Sequence, residues 1–322
     1  MTKLPSSVRR QRGAALLMAM LIVTLVTTLA AGMVWQQWRA IEVEGAERAR
    51  SQASWLIEGT TDWARLILRE DSRGSGGKAN VDSPDENWGI PLRDVKLSDF
   101  LAADKNNVAD SSGIEALLSG QITDAQGRFN LRNLITDDEQ AVAAQLRGFK
   151  RLCDALGLPG DTALKVVEGL NHAHAEQDSG TSATPDTPLP PHRVEQLTWL
   201  GVDPEAIKRL TPFVVLLPTA TPVNINSASP EVLVAVIEGL DRGSADRLLR
   251  ARPAGGYDTL DAIQKQLPEK IKLNPQQVSI TSTHFEINGE LRYDQYVLRE
   301  RSLVQRRGLE VTVLRRERLP PE

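Results

Sequence analysis

Residues 14–35 read AALLMAMLIVTLVTTLAAGMVW, and this run from Ala14 to Trp35 decides how the rest of the chain is laid out. It contains no charged side chain. As an α-helix rising about 1.5 Å per residue, it just spans the roughly 30 Å hydrocarbon core of a bilayer. Lys3, Arg9, Arg10 and Arg12 precede it, with no acid among them, and Glu42, Glu44 and Glu47 follow it. That asymmetry puts the N-terminus in the cytoplasm and the bulk of the chain on the far side. Trp35 and Trp38 suit the outer interface. A cleaved secretory signal is one rival, with Leu29-Ala30-Ala31 imitating its cleavage site. Such signals have apolar regions of only about 7–15 residues, and here a helical pattern continues past the run. A plain uncleaved anchor is the second rival, and hydropathy alone does not separate it.

The 322 residues suffice for one large domain or two modest ones beyond the anchor. Net charge is −4, so no global charge points to a nucleic-acid partner. Losing residues 1–13 removes four positive charges and leaves about −8. Cys153 is the only cysteine, which excludes an intramolecular disulfide. It lies in a helical pattern from Gln140 to Leu156, where a buried inert thiol is expected.

From Gln36 to Glu70 the pattern stays helical. Trp38, Ile41, Ala49, Ala53, Leu56, Trp63, Ile67 and Leu68 recur at helical spacing, with charges between them. Anchor and continuation make one helix of roughly 55 residues, or about 85 Å. Gly32, Gly45 and Gly59 are expected to allow bends, and Gly74-Ser-Gly-Gly77 to end it. Residues 71–112 read as polar loop. Asp124-Ala-Gln-Gly127, between short apolar runs, predicts a hairpin or strand pair within Ile114–Leu131.

Residues 136–275 read as helical. Thr136-Asp-Asp-Glu139 has the capping-box pattern. Asp161 can cap a second helix through Val167, and Gln177–Pro191 is a linker rich in Ser, Thr and Pro. Short helices are predicted at Arg193–Leu200 and Pro204–Leu210. Ser229-Pro230 opens another, with Ser as N-cap and Pro in the first turn. The chain then turns to strand over Ser279–Phe285, Gln295–Gln305 and Leu309–Arg315. Asn288-Gly289 and Tyr293-Asp294 compete as the turn between the first two.

The expectation is an α+β fold. A long N-terminal helix packs on a small antiparallel sheet, with a large all-helical insertion. The divisions are a leader at 1–13, a membrane part at 14–35 and the helix continuation at 36–70. Loop and first strands occupy 71–135, the insertion 136–275, the C-terminal strands 276–316 and a tail 317–322.

The join Arg10-Gln-Arg-Gly13 before Ala14 resembles the basic leader of type IV pilins and pseudopilins. The resemblance implies cleavage between Gly13 and Ala14 by a prepilin peptidase, N-methylation of Ala14, and retention of the apolar run as anchor. Most pilins carry Glu at the fifth mature position, where this chain has Met18. A lone carboxylate in the bilayer needs a partner. In that family the partner is the N-terminal amine of the subunit ahead, so Met18 suits a subunit with none ahead.

Three further stretches carry a narrower resemblance. These are Asp124-Ala-Gln-Gly-Arg-Phe-Asn-Leu131, Pro222-Val-Asn-Ile-Asn-Ser-Ala-Ser229 and Glu300-Arg-Ser-Leu-Val-Gln305. With the leader, they resemble the minor pseudopilin family known as general secretion pathway protein K of type II secretion. That resemblance implies a tip complex with minor pseudopilins I and J, joined through them to the major pseudopilin. The complex would start and cap a periplasmic fibre that exports folded proteins. The resemblance also favours the turn at Tyr293-Asp294, with Gly289 a bulge or kink within a strand.

Some members of that family bind calcium through an acid-rich stretch after a helix. Here the matching stretch is Glu168-Gly-Leu-Asn-His-Ala-His-Ala-Glu176, with Asn171 and Ala173 where acids would stand. Asp178 and Asp186 are the carboxylates left to offer calcium its oxygens, so no cofactor is firmly implied. His172, His174 and Glu176 form a thin transition-metal pattern, more simply read as a solvated helix end.

Two other function classes compete. Val223–Pro230 and the helices after it resemble helix-hairpin-helix DNA binders, which would make this a membrane-anchored DNA-binding protein of a competence or pilus system. Those grip phosphate with a Gly-rich, basic hairpin. Here Glu238-Gly-Leu-Asp-Arg-Gly243 has one base, and 223–267 is slightly acidic, so no nucleic acid is expected. An enzyme would need a nucleophile elbow, a phosphate loop, HExxH or paired cysteines, and none is present.

Overall fold

The structure is a computed structural model. It describes residues 8–74, 81–96, 116–136, 138–178, 188–293 and 296–320, with 8–12 and 175–178 described by their backbone alone. The chain divides into two units, Met1–Leu56 and Ile57–Glu322. One helix, α1 (Val8–Ser72), runs through both, unbroken at Gly32, Gly45 and Gly59.

In the first unit, α1 is apolar and exposed from Leu16 to Trp38. One window reaches a mean hydropathy of 2.4, long and apolar enough to cross a membrane. The run's three threonines turn their hydroxyls back onto the helix. Thr24 donates to the Leu21 carbonyl at 2.9 Å and Thr28 to that of Thr24 at 3.0 Å. Each hydroxyl is thus satisfied without water, as lipid requires.

The second unit is built on a five-stranded antiparallel sheet in the order β1-β2-β7-β8-β9. The strands are β1 (Leu92–Lys96), β2 (Ala116–Asp124), β7 (His284–Tyr293), β8 (Tyr296–Arg307) and β9 (Glu310–Leu319). Ile57, Thr61, Ala64 and Leu68 of α1 fall at i, i+4, i+7 and i+11 and are all buried. Ala64 and Leu68 join Trp88, Ile122, Phe285, Ile287, Val304 and Val311 in the core of the head. Full burial of Leu68 alone contributes about 1.5–3 kcal/mol.

Residues 71–112 are not all loop, because β1 lies among them. Asp124–Gly127 is not a hairpin turn. The chain leaves the sheet there through a short 3-10 turn, Ala125–Gly127, capped by the Asp124 side chain on Gln126 N. Gly289 is neither turn nor bulge. The β7–β8 register continues evenly through Asn288–Arg301 and Gly289–Glu300 to Tyr293–Tyr296, and 294–295 lie outside the described residues. β9 runs to Leu319, beyond the expected end at Arg315.

Between β2 and β7 lies a mainly helical insertion. Its helices are α2 (Glu139–Ala155), α3 (Thr162–Asp178), α4 (Pro204–Leu210), α5 (Pro230–Val236), α6 (Arg242–Arg250) and α7 (Leu260–Gln264), with a 3-10 helix at Val194–Leu200. The N-cap of α2 is Asp138, which accepts from the amides of Gln140 and Ala141, and not Thr136. Ser229 caps α5 as its Ser-Pro start predicts. Two-residue parallel ladders hem the insertion. β3 (Phe129–Asn130) pairs with β4 (Val214–Val215), and β5 (Val223–Asn224) with β6 (Val278–Ser279). The insertion's apolar core takes in Phe129, Leu131, Leu134 and Val278, so it extends past both ends of 136–275.

Candidate functional site

Two of the three motif stretches meet in a buried polar joint where the insertion leaves and rejoins the sheet. Asp124, at the end of β2, accepts from Asn224 Nδ2 at 2.8 Å and from Ser282 Oγ at 2.7 Å through one oxygen, and from Gln126 N at 2.8 Å through the other. Asn224 also donates to the Asp82 carbonyl at 2.9 Å. Gln126 Oε1 accepts from Thr283 N at 2.7 Å and Thr283 Oγ1 at 2.9 Å, while its amide donates to the Pro222 carbonyl at 3.1 Å. The segments approach backbone to backbone. A Cβ on Gly127 would lie 2.7 Å from the Ser227 carbonyl oxygen, which is why the motif has glycine there.

Asn130 of the first motif and Asn133 just after it act as substitute peptide groups. Asn133 donates to the Thr221 carbonyl at 2.9 Å and accepts from Thr221 N at 3.0 Å. Asn130 donates to the Thr219 carbonyl at 2.8 Å and accepts from Leu217 N at 3.2 Å. Irregular buried backbone is tolerable only when its polar groups are met in this way.

Arg306 of β8 lies behind the joint, buried, with its guanidinium 4.7 Å from the centre of the Phe285 ring. It donates to Asp71 at 2.7 Å, to Asp82 Oδ1 and to the Ser282 carbonyl at 3.1 Å. Its rigid fork matches two carboxylates from different segments. Burial pushes the Asp71 carboxyl up while Arg306 pulls it down. Burial also pushes Asp124 up, against its donors. The third motif supplies Glu300, buried in β8, which meets Arg316 of β9 at 3.1 Å and accepts from Thr61 of α1 at 3.4 Å. Sequence reading missed Arg306, Asp71 and Asp82, because no spacing links them.

Asp71, Asp82 and Glu86 bring ligand oxygens within 4.8 Å of one another. Arg306 already supplies the positive charge to two of them. Glu86 accepts from Ser83 N at 3.0 Å and Trp88 Nε1 at 2.9 Å. The calcium candidates lie elsewhere. Asp186 is outside the described residues, and Asp178 is described by backbone alone. His172 is exposed, and His174 Nδ1 bonds the Leu170 carbonyl at 2.9 Å on its own helix. Gly13, Ala14 and Met18 all lie on exposed α1.

The α5–α6 hairpin places a carboxylate at the start of its second helix. Asp241 caps α6, accepting from Ser244 N at 2.8 Å and Ser244 Oγ at 3.1 Å, and these bonds hold its carboxyl below the usual range. A carboxylate thus stands where a DNA-binding hairpin offers bare amides.

An apolar membrane-length stem, a small antiparallel head and a helical insertion fastened by a polar joint define a pilin-like, stem-anchored subunit. Comparison with known proteins narrows that class. A family model described as type II secretion system protein K matches residues 223–281, and a second of the same description matches 127–219. Type II secretion system protein K of Pseudomonas aeruginosa is 30% identical over 96% of this chain and 90% of its own. That of Pectobacterium carotovorum is 27% identical over 96% of each. A chain of the solved GspK–GspI–GspJ complex from the type 2 secretion system of enterotoxigenic Escherichia coli has the same fold. Its TM-score is 0.62 at 19% identity, covering 86% of this chain and 99% of that one. The chain belongs to the type II secretion system protein K family. Nothing in these likenesses supports the DNA-binding reading.

Proposed function

We propose that this chain is the minor pseudopilin that starts and caps the tip of the type II secretion fibre, assembling with subunits equivalent to GspI and GspJ. It is held in the inner membrane by residues 14–35, with a cytoplasmic N-terminus and a periplasmic head. A prepilin peptidase cuts between Gly13 and Ala14, and Ala14 is N-methylated. Its role is structural and not catalytic. The observation that carries the tip position is Met18, an apolar residue where a repeated subunit needs a carboxylate. The solved complex of the related GspK with GspI and GspJ supports the choice of partners.

The test has two readouts on protein taken from membranes that hold the whole system. Mass spectrometry should give a mature chain starting at methylated Ala14, and Gly13→Asp should leave it intact. Affinity purification should retain both partner subunits. A Met1 terminus in peptidase-positive cells would sink the processing step. Loss of both partners from the unmodified chain would sink the tip complex.

A further inference from the structure

One face of the sheet meets the insertion, and charge is concentrated there. Glu286, Leu303 and Arg315 form one rung across β7, β8 and β9, and Asn288, Arg301 and Glu317 form the next on the same side. Leu303 clusters with Ala125, Val215 and Leu217, which marks this as the side the insertion covers. Between the two layers lies a cavity of about 30 Å³. Arg128, Arg193, Arg301 and Arg315 line it against Glu195, Glu286 and Glu317, a surplus of one positive charge among these side chains. The glutamates are already taken. Glu286 pairs with Arg128 at 2.8 Å, Glu317 with Arg193, and Glu195 with Arg301 at 3.9 Å. Arg315 is left over. Among the described residues its guanidinium meets no carboxylate, and it donates only to the neutral His192 carbonyl. Arg128 leaves a second gap. Its Nη2 is buried and, although Glu286 lies beside it, has no acceptor in line with its hydrogens among the described residues. A buried donor left in this way is costly and marks a missing partner.

We propose that this cavity binds one small monovalent anion of the halide class, chloride or bromide, which pins the insertion to the sheet. Size selects the class. The cavity exceeds the roughly 10–15 Å³ that a single water needs, and it is too small for a phosphate or a sulfate. Charge selects an anion over water. Burial presses the Arg315 pKa down, yet a guanidinium keeps its proton in proteins, so the enclosed charge calls for a counter-charge. Arg128 lines the cavity from the insertion and Arg315 from β9, so an ion accepting from both ties the two layers together.

The test uses the full chain in mild detergent at constant ionic strength, with sodium gluconate replaced stepwise by sodium chloride or bromide. Tm should rise saturably, by roughly 2–5 °C once halide exceeds its dissociation constant about tenfold. The chlorine NMR line should broaden in parallel, a readout of binding that does not depend on stability. Arg315→Gln removes the surplus charge and should abolish both effects, whereas Arg315→Lys keeps the charge and should retain them in weaker form. Glu195→Gln, on the more exposed rim, raises the surplus and should tighten halide binding about 3- to 10-fold. It decides the matter if Arg315→Gln does not fold, since no tightening would then overturn the proposal. A halide effect that persists in Arg315→Gln would place the ion elsewhere and overturn it. The absence of any halide-specific effect in the unmodified chain would leave the cavity to water and overturn it as well.

Discussion

At Gly127 the chain has no room for one more carbon atom. A Cβ would press on the Ser227 carbonyl at 2.7 Å, and backbone on both sides prevents an easy escape. Gly127→Ala should therefore cost about 1–3 kcal/mol, read as a lower urea midpoint. His284 makes a second residue-scale prediction. Its ring is buried, its Nε2 has no hydrogen-bond partner among the described residues, and burial with nearby Arg307 lowers its pKa to about 4. The unfolded chain takes up a proton near pH 6.5 that the folded chain refuses until about pH 4. This contribution is complete above pH 6.5 and is lost as pH falls through that window, at most about 3 kcal/mol. Asp124 acts in the opposite sense at lower pH, because its raised carboxyl binds a proton more readily folded than unfolded. His284→Asn should flatten the slope of stability between pH 6.5 and 4, measured by denaturant titration at stepped pH.

At the scale of elements, α1 is the test case. Leu68 is fully buried beside Phe285 and Val304. Leu68→Ala should destabilise the head by about 2–5 kcal/mol, seen as a fall in Tm. The helix was legible because its apolar positions recur with a strong period, and α5 because Ser229-Pro230 is a local start signal. Strands β8 and β9 were legible from their β-branched and apolar content, but β7 shares only its first two residues with the expected Ser279–Phe285, because Asn288-Gly289 reads locally as a turn. β1 was not legible, since its five residues, LRDVK, carry one apolar alternation at most. The ladders β3–β4 and β5–β6 were invisible for a related reason. Two paired residues hold no period, and their partners lie about 50–90 residues away, beyond any window of pattern reading. The joint was half legible. Its motif asparagines and Asp124 stood out as a recognisable string, but Arg306, Asp71 and Asp82 meet only in three dimensions.

At the scale of the whole molecule, the insertion should stand alone. It has its own apolar core, and its hydrogen-bonded asparagines lie mostly within it. A fragment of residues 125–283 should unfold cooperatively and keep its helical circular dichroism. A non-cooperative melt would show that the insertion leans on the sheet. Asp124 and Phe285 are paired neighbours in the sheet, so the insertion occupies what would otherwise be the turn of a hairpin. Closing a flexible loop of about 160 residues to form that pair costs on the order of 4 kcal/mol. Gln126 and Thr283, hydrogen-bonded at 2.7 Å, show that the folded insertion presents its two ends together. The order of events during synthesis follows from this. If the insertion folds first, β7 arrives beside β2 as a near neighbour, and a slow long-range pairing becomes a local zipping step.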